Sequence, residues 1–65
     1  MSYIVVGKVF GRKVYWNKES KGWYMVIERA TLFPNMESAL GGQYYAESVL
    51  VPEMVTDIDV EKLGE

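Results

Sequence analysis

Three acidic side chains at alternating positions, Asp57, Asp59 and Glu61, are the residues closest in type to a cation site. Carboxylate oxygens are the ligands that calcium and magnesium ions prefer in proteins. The glycine and the distal glutamate of a calcium-binding loop are missing around them. Because alternating acids are also typical of a strand with one solvated side, we predict no metal site here.

Neither cysteine nor histidine occurs in the chain. These two side chains most often serve as nucleophile or general base near neutral pH. Carboxylate chemistry needs a cleft, and a chain of 65 residues rarely builds one. We therefore predict a protein that is not an enzyme, with no catalytic residue and no cofactor. The lack of cysteine also excludes disulfides, which favours a reducing cytoplasm.

Aromatic and basic side chains recur in the first part of the chain at spacings that suit a binding surface. Gly11-Arg12 has the chemistry of a type II′ turn, because glycine tolerates the positive φ of the first central position. This turn pairs Lys8 with Tyr15, and a second hairpin pairs Tyr15 with Tyr24. Side chains of cross-strand partners share a face of the sheet. The predicted partner-binding residues on this face are Lys8, Phe10, Lys13, Tyr15 and Tyr24.

The same pairing leaves a second face that is almost purely hydrocarbon, and this face is the predicted core beneath a helix. A slip of the register by one residue would exchange the two faces, but only this register makes one of them uniformly apolar. The predicted core residues are Val5, Val9, Val14, Trp16, Trp23, Met25 and Ile27.

Runs of β-branched and aromatic residues predict three strands in the first half of the chain. Their predicted bounds are Tyr3 to Phe10, Lys13 to Trp16, and Trp23 to Glu28. The polar, glycine-ended stretch from Asn17 to Gly22 predicts the loop of the second hairpin. Such a sheet has an apolar face that another element must cover.

A short helix is predicted to begin at Met36. Asn35 precedes it as a good N-cap, because its side chain accepts a hydrogen bond from a free amide of the first turn. Met36, Ala39 and Leu40 fall on one helical face at positions i, i+3 and i+4. The same period would allow the helix to extend to about Tyr45. Gly41-Gly42 argues against this, because each glycine costs about 1 kcal/mol in a helix interior, so a short helix is expected and a break at the glycines is one alternative.

Two extended segments are predicted after the helix. Ser48 to Val55 reads as a strand at an edge or a bulge, because Pro52 cannot donate a ladder hydrogen bond. Residues 56–63 alternate acids with Ile58 and Val60, the period of a second strand. Together the elements predict one α+β domain over residues 1–65, with a three- to four-stranded, mostly antiparallel sheet and one short helix on one face. The alternative is an SH3-like bent barrel.

The formal net charge of −2 conceals an uneven distribution. Residues 1–33 hold six of the seven basic side chains, and residues 34–65 hold seven of the nine acids. Such a split can steer charged partners, or it can simply solvate the surface. No apolar run approaches the roughly 20 residues of a membrane span, and the N-terminus lacks a signal-peptide pattern. We therefore expect a cytoplasmic protein without a membrane partner.

The order of these motifs resembles that of short accessory proteins common in phage and prophage genomes. The resemblance covers about residues 3–55 and rests on YIVVGKVFGRKVYWN, Gly22-Trp23, ATLFPNMESA and VLVPEMV. Gly41-Gly42 departs from the longer helix of that pattern. The resemblance implies a phage-encoded protein that acts by binding, often on host machinery, in the host cytoplasm. Its motifs are structural, so no functional residue is carried over.

Three functional hypotheses follow for the aromatic and basic face. The first is a binding module that modulates or inhibits a host protein, with aromatic anchors and lysines at the rim. The second is a single-stranded nucleic-acid binder that stacks bases on tyrosines, although the acidic composition weighs against it. The third is a homodimer that pairs through the same face.

Overall fold

The computed structural model describes residues 2–49 and 55–63. In these ranges the chain forms one antiparallel sheet of strand order β3-β2-β1-β4, and helix α1 packs on β1 and β4. This arrangement confirms the predicted α+β fold, with one helix on one face, rather than the SH3-like alternative. The elements in chain order are β1 (Ser2–Val9), β2 (Arg12–Asn17), β3 (Gly22–Tyr24), a 3₁₀ turn (Ile27–Arg29), α1 (Met36–Val49) and β4 (Thr56–Leu63).

The first hairpin turns at Phe10-Gly11, one residue earlier than the predicted Gly11-Arg12. Phe10 has a φ of 51° and Gly11 a φ of 80°, as in a type I′ turn with glycine at its second central position. Val6 therefore pairs with Tyr15. This register differs from the predicted one by two residues. Because the side chains alternate with period two, the strand residues keep their predicted faces.

The second hairpin aligns Trp16 with Trp23, as predicted. Asn17 closes its loop, because the Oδ1 atom accepts hydrogen bonds from the backbone N–H groups of Glu19 and Ser20, each at 3.0 Å. An asparagine side chain that bonds the backbone two and three residues ahead is a common device for turning the chain.

The third strand ends at Tyr24, well before its predicted end at Glu28. The chain bends away there and enters the 3₁₀ turn at Ile27–Arg29. Met25 and Ile27, two residues predicted to lie in the core, are 60% and 43% exposed. The core predicted for this part of the chain is therefore wrong.

Long-range hydrogen bonds draw the chain off β3. The N–H group of Thr31 donates to the carbonyl of Trp16 at 3.0 Å, and Tyr3 and Phe33 exchange two backbone hydrogen bonds at 2.9 and 2.8 Å. Phe33 thus pairs with Tyr3 near the start of β1, beyond Val6, where the pairing of β1 with β2 ends. Strand propensity in residues 25–28 is overridden by these contacts.

Helix α1 runs unbroken from Met36 to Val49, so it continues through Gly41-Gly42 and is longer than the short helix predicted. Asn35 caps it as predicted, with Oδ1 accepting a hydrogen bond from the Ser38 N–H group at 2.8 Å. Phe33 explains the second glycine, because a Cβ atom at that position would lie 2.5 Å from its Cζ. The helix passes so close to this buried ring that only glycine fits.

The core lies between α1 and the sheet. The helix turns Ala39 and Ala46 inward, while Met36 and Leu40, which were predicted to share one helical face with Ala39, are exposed. Small residues on α1 leave room for the indoles, and the Trp16 ring centroid lies 5.4 Å from that of Trp23. Among the described residues neither indole N–H has an acceptor, so packing holds these rings. The buried cluster consists of Val5, Trp16, Phe33, Ala39 and Ala46.

The strand β4 confirms the prediction from alternating acids over residues 56–63. It pairs antiparallel with β1 and contains an irregularity opposite Gly7, where Asp57 has a φ of 53°. The strand predicted over Ser48 to Val55 is wrong at its start, because α1 includes Ser48. Pro52 and the rest of residues 50–54 lie outside the described residues.

Two side chains bond to the outer edge of β4. Gln43 Nε2 donates to the carbonyl of Ile58 at 3.1 Å, and the Val60 N–H group donates to Asp59 Oδ1 at 2.8 Å. The strand order places no described strand beyond this edge. Side chains that bond an open edge reduce its tendency to pair with another chain.

Candidate protein-binding surface

Four of the five predicted binding residues lie together on the sheet face opposite α1. Lys8 pairs with Lys13 and Tyr15 pairs with Tyr24, so the four side chains share this face. Both lysines are exposed and both tyrosines are half-buried. The strand β4 extends the sheet beside β1 rather than covering these residues. We call Lys8, Lys13, Tyr15 and Tyr24 the tyrosine face.

The tyrosine face is not basic, because β4 brings carboxylates to it. Asp59 lies opposite Val6 in the ladder, and Glu61 lies opposite Ile4. Lys13 Nζ donates a hydrogen bond to Glu61 Oε2 at 2.6 Å. This neutralisation depends on the strand order, which puts β4 beside β1 and which the sequence did not predict.

The hydrogen bond to Glu61 raises the pKa of Lys13, and the negative charge of the carboxylate adds to the effect. The ion pair is therefore intact at neutral pH. On the alkaline side, its contribution to stability is lost as pH rises through the raised pKa of Lys13. Because the two side chains are 44% and 46% exposed, the pair contributes less than about 1 kcal/mol.

A shallow groove of about 480 Å³ runs along this face between β2 and β4. Lys8 and Lys13 line it together with Asp57, Asp59 and Glu61, so charges of both signs meet there. Within residues 2–49 and 55–63 no group of three side chains is placed to hold a metal ion. The groove is a polar surface whose charges largely offset one another.

Tyr24 is fixed on the tyrosine face by its neighbours. Its hydroxyl donates a hydrogen bond to Ser20 Oγ at 2.9 Å, and the Arg29 guanidinium carbon lies 5.3 Å from its ring centroid. One side of the ring is therefore in contact with a cation. These contacts orient the ring but reduce the ring area that a partner can contact.

Phe10, the fifth predicted residue, lies apart from the other four. It occupies the turn rather than a strand, and its side chain is 94% exposed. It borders a cavity that opens on the same side of the sheet as Val14 and Trp23, whereas Tyr15 faces the other side. The prediction that Phe10 shares a face with Lys8 is wrong, because the turn falls one residue earlier than expected.

The cavity beside Phe10 has a volume of about 310 Å³. Helix α1 packs mainly on β1 and β4. Val55 is buried close to Gly7, where an added Cβ atom would lie 2.5 Å from Val55 Cγ1. We call the surface around the cavity the hairpin-tip surface. Its described residues are Val9, Phe10, Arg12, Val14, Trp23 and Met25.

The sequence contains one signal that indicates this surface. Residue pairs with glycine in second place, such as Asn-Gly, favour type I′ turns, and Phe10-Gly11 has glycine in that place. A type I′ turn at Phe10-Gly11 places Phe10 outside the strands. Met25 carries no comparable signal, because its exposure depends on the tertiary contacts that end β3 at Tyr24.

No family model, curated protein or solved structure matches the chain. In the part of the chain that the structure describes, no helix combines the length and apolarity that crossing a bilayer requires.

Proposed function

We propose that this protein is a non-enzymatic binding module that docks on another protein through its hairpin-tip surface. The observation that carries the proposal is Phe10, a large apolar side chain that is 94% exposed in a left-handed turn conformation. Exposed aromatic side chains beside an apolar cavity are typical of the anchors that dominate protein interfaces.

The conformation of Phe10 supports a role outside the fold. A bulky residue in the left-handed region costs roughly 1–2 kcal/mol relative to glycine, and this ring recovers almost none of it by burial. Residues in such unfavourable conformations concentrate at functional sites. A phenylalanine that adds cost and no core packing is best explained by contact with a partner.

The mechanism that fits this surface is occlusion. Phe10 and Met25 would be desolvated against the partner while the nearby basic side chains set its orientation and speed its approach. The resemblance to phage accessory proteins favours a host protein as the target, met in the host cytoplasm. The protein would then modulate or inhibit that target by covering part of its surface.

The nucleic-acid hypothesis has less support. Asp59 and Glu61 lie on the same face as Tyr15 and Lys13, and carboxylates repel the phosphates that a nucleic-acid binder must attract. The homodimer hypothesis draws on the same exposed apolar residues as protein docking. A sedimentation experiment on the pure protein separates these two, since a dimer forms without any partner.

The proposed function is tested by capture from a host lysate with wild-type protein and two variants. Phe10→Asn removes the anchor and suits the turn, whereas Tyr44→Asn removes an aromatic side chain that is 76% exposed on α1. We expect one partner to be retained by wild type and by Tyr44→Asn, and its retention by Phe10→Asn to fall at least tenfold. Equal retention by all three proteins would exclude the hairpin-tip surface.

A further inference from the structure

We infer that the partner of the hairpin-tip surface presents an acidic segment with one large apolar side chain at its centre. This inference rests on the proposed function and names the chemistry of the partner. The apolar side chain would fill the cavity beside Phe10, and a neighbouring carboxylate would meet Arg12 at the rim. It is carried by three features of the described residues.

The first feature is the lining of the cavity. Val9, Val14, Trp23 and Met25 supply apolar side chains, and the described lining contains no acidic residue. The volume of about 310 Å³ lies at the lower end of the range for ligand pockets, enough for one leucine or phenylalanine side chain.

The second feature is the charge of Arg12. It is exposed and is the one charged residue among the described residues that line the cavity. Within residues 2–49 and 55–63 the single ion pair joins Lys13 to Glu61, so Arg12 has no carboxylate partner there. A guanidinium offers parallel donors that match a carboxylate in a bidentate arrangement.

The third feature is the placement of charge on the two faces of the hairpin. Lys8 and Lys13 lie on the face opposite the cavity, where Glu61 pairs with Lys13, whereas Arg12 lies on the cavity side. Arg12 is therefore the charge that an occupant of the cavity meets. A second copy of the chain would bring two Arg12 side chains together across a two-fold axis, which is unfavourable. The carboxylates of an acidic partner would instead be attracted to Arg12.

The test uses three blocked peptides of equal length titrated into isotope-labelled protein and followed by NMR. The first has a central phenylalanine between two pairs of aspartates, the second replaces the aspartates with lysines, and the third replaces the phenylalanine with alanine. We expect the first to shift the amides of Phe10, Arg12 and Val14 and the indole of Trp23, and to bind at least tenfold more tightly than the others.

The variant Arg12→Glu supplies the matched control. We expect it to retain the wild-type spectrum away from the tip and to reverse the preference between aspartate and lysine peptides. Equal binding of the two charged peptides, or no change at the tip with any of them, would overturn the inference. So would tip signals that depend on protein concentration without peptide, because they would indicate a second copy in the cavity.

The two proposals fail in different ways. If capture from lysate depends on Phe10 but none of the peptides binds, the docking surface stands and only the acidic partner is wrong. If capture is independent of Phe10 while the aspartate peptide binds as expected, the peptide site exists and the proposed function at this surface is wrong.

Discussion

At the scale of single residues, Phe10 adopts a backbone conformation that is unfavourable for a bulky side chain. Asparagine followed by glycine is the preferred pair of a type I′ turn, because both central residues need positive φ. Here the second place has Gly11 with a φ of 80°, and the first has phenylalanine with a φ of 51°. The turn is therefore set by glycine and by the strands on either side.

Replacing Phe10 with asparagine should stabilise the protein. Relief of the unfavourable conformation is worth about 1 kcal/mol, and the lost side chain made little contact with the core. For a domain of this size we expect the Tm to rise by about 4–8 °C, measured by thermal unfolding with circular dichroism. A fall in Tm would show that the ring packs on the fold and is not reserved for a partner.

Tyr44→Asn is the matched control for that measurement. It removes another exposed aromatic side chain, but from a helix, where asparagine is slightly less favourable than tyrosine and no strain is relieved. Its Tm should stay the same or fall slightly. A rise as large as that of Phe10→Asn would mean that loss of exposed apolar surface, and not turn conformation, causes the effect.

Some residue roles could be predicted because their causes are local. Asn35 caps α1 through a hydrogen bond to an amide three residues ahead, which is a property of the sequence around it. The pairing of Lys13 with Glu61, which leaves Arg12 without a carboxylate partner among the described residues, could not be predicted. It depends on a strand that is 48 residues distant from Lys13 in the chain.

At the scale of elements, the two adjacent glycines of α1 have different causes. A Cβ atom at Gly42 would lie 2.5 Å from the Phe33 ring, whereas a Cβ atom at Gly41 would have no neighbour within 4 Å. The cost of glycine in a helix is the same at both positions. Packing of the helix on Phe33 therefore accounts for one glycine, and nothing in the structure explains the other.

The variants Gly41→Ala and Gly42→Ala should change stability in opposite directions. Gly41→Ala gains helix propensity in open space and should stabilise by about 1 kcal/mol. Gly42→Ala must displace the buried ring of Phe33, whose backbone is hydrogen-bonded to Tyr3. It should therefore destabilise the protein by about 1–3 kcal/mol. Urea unfolding of both variants measures the difference. Stabilisation by both would show that Phe33 moves without cost.

The faces of the strands could be predicted from the sequence, but the lengths of β3 and α1 could not. The register of the first hairpin was wrong by two residues, yet Val14 and Trp16 still face the helix, because a shift of two leaves alternation unchanged. The end of β3 at Tyr24 and the unbroken α1 both depend on contacts with segments distant in the chain. Local propensity carries no information about such contacts.

At the scale of the whole molecule, stability rests on one small cluster centred on Trp16, whose side chain is fully buried. A chain of 65 residues has a total stability of roughly 3–10 kcal/mol. Loss of a buried tryptophan side chain costs about 3–5 kcal/mol. One such substitution therefore removes a large part of the free energy of unfolding.

The variant Trp16→Ala should lack a cooperative unfolding transition at room temperature and above. The more conservative Trp16→Phe keeps an aromatic ring in the cluster and removes an indole N–H without an acceptor among the described residues, so it should remain folded. Circular dichroism against temperature tests both variants. A sharp transition in Trp16→Ala near that of wild type would show that the stability lies elsewhere.

The pairing of β1 with β4 has a consequence for synthesis on the ribosome. Ser2 lies opposite Leu63, so β1 is synthesised before the other described strands and its neighbour β4 after them. Until then Ile4 and Val6 belong to a strand with an open side, and the nascent chain can close only local hairpins. Because contacts so distant in sequence form slowly, the docking of β4 should be a late step of folding, and until then the open side of β1 is vulnerable to proteases and misassembly.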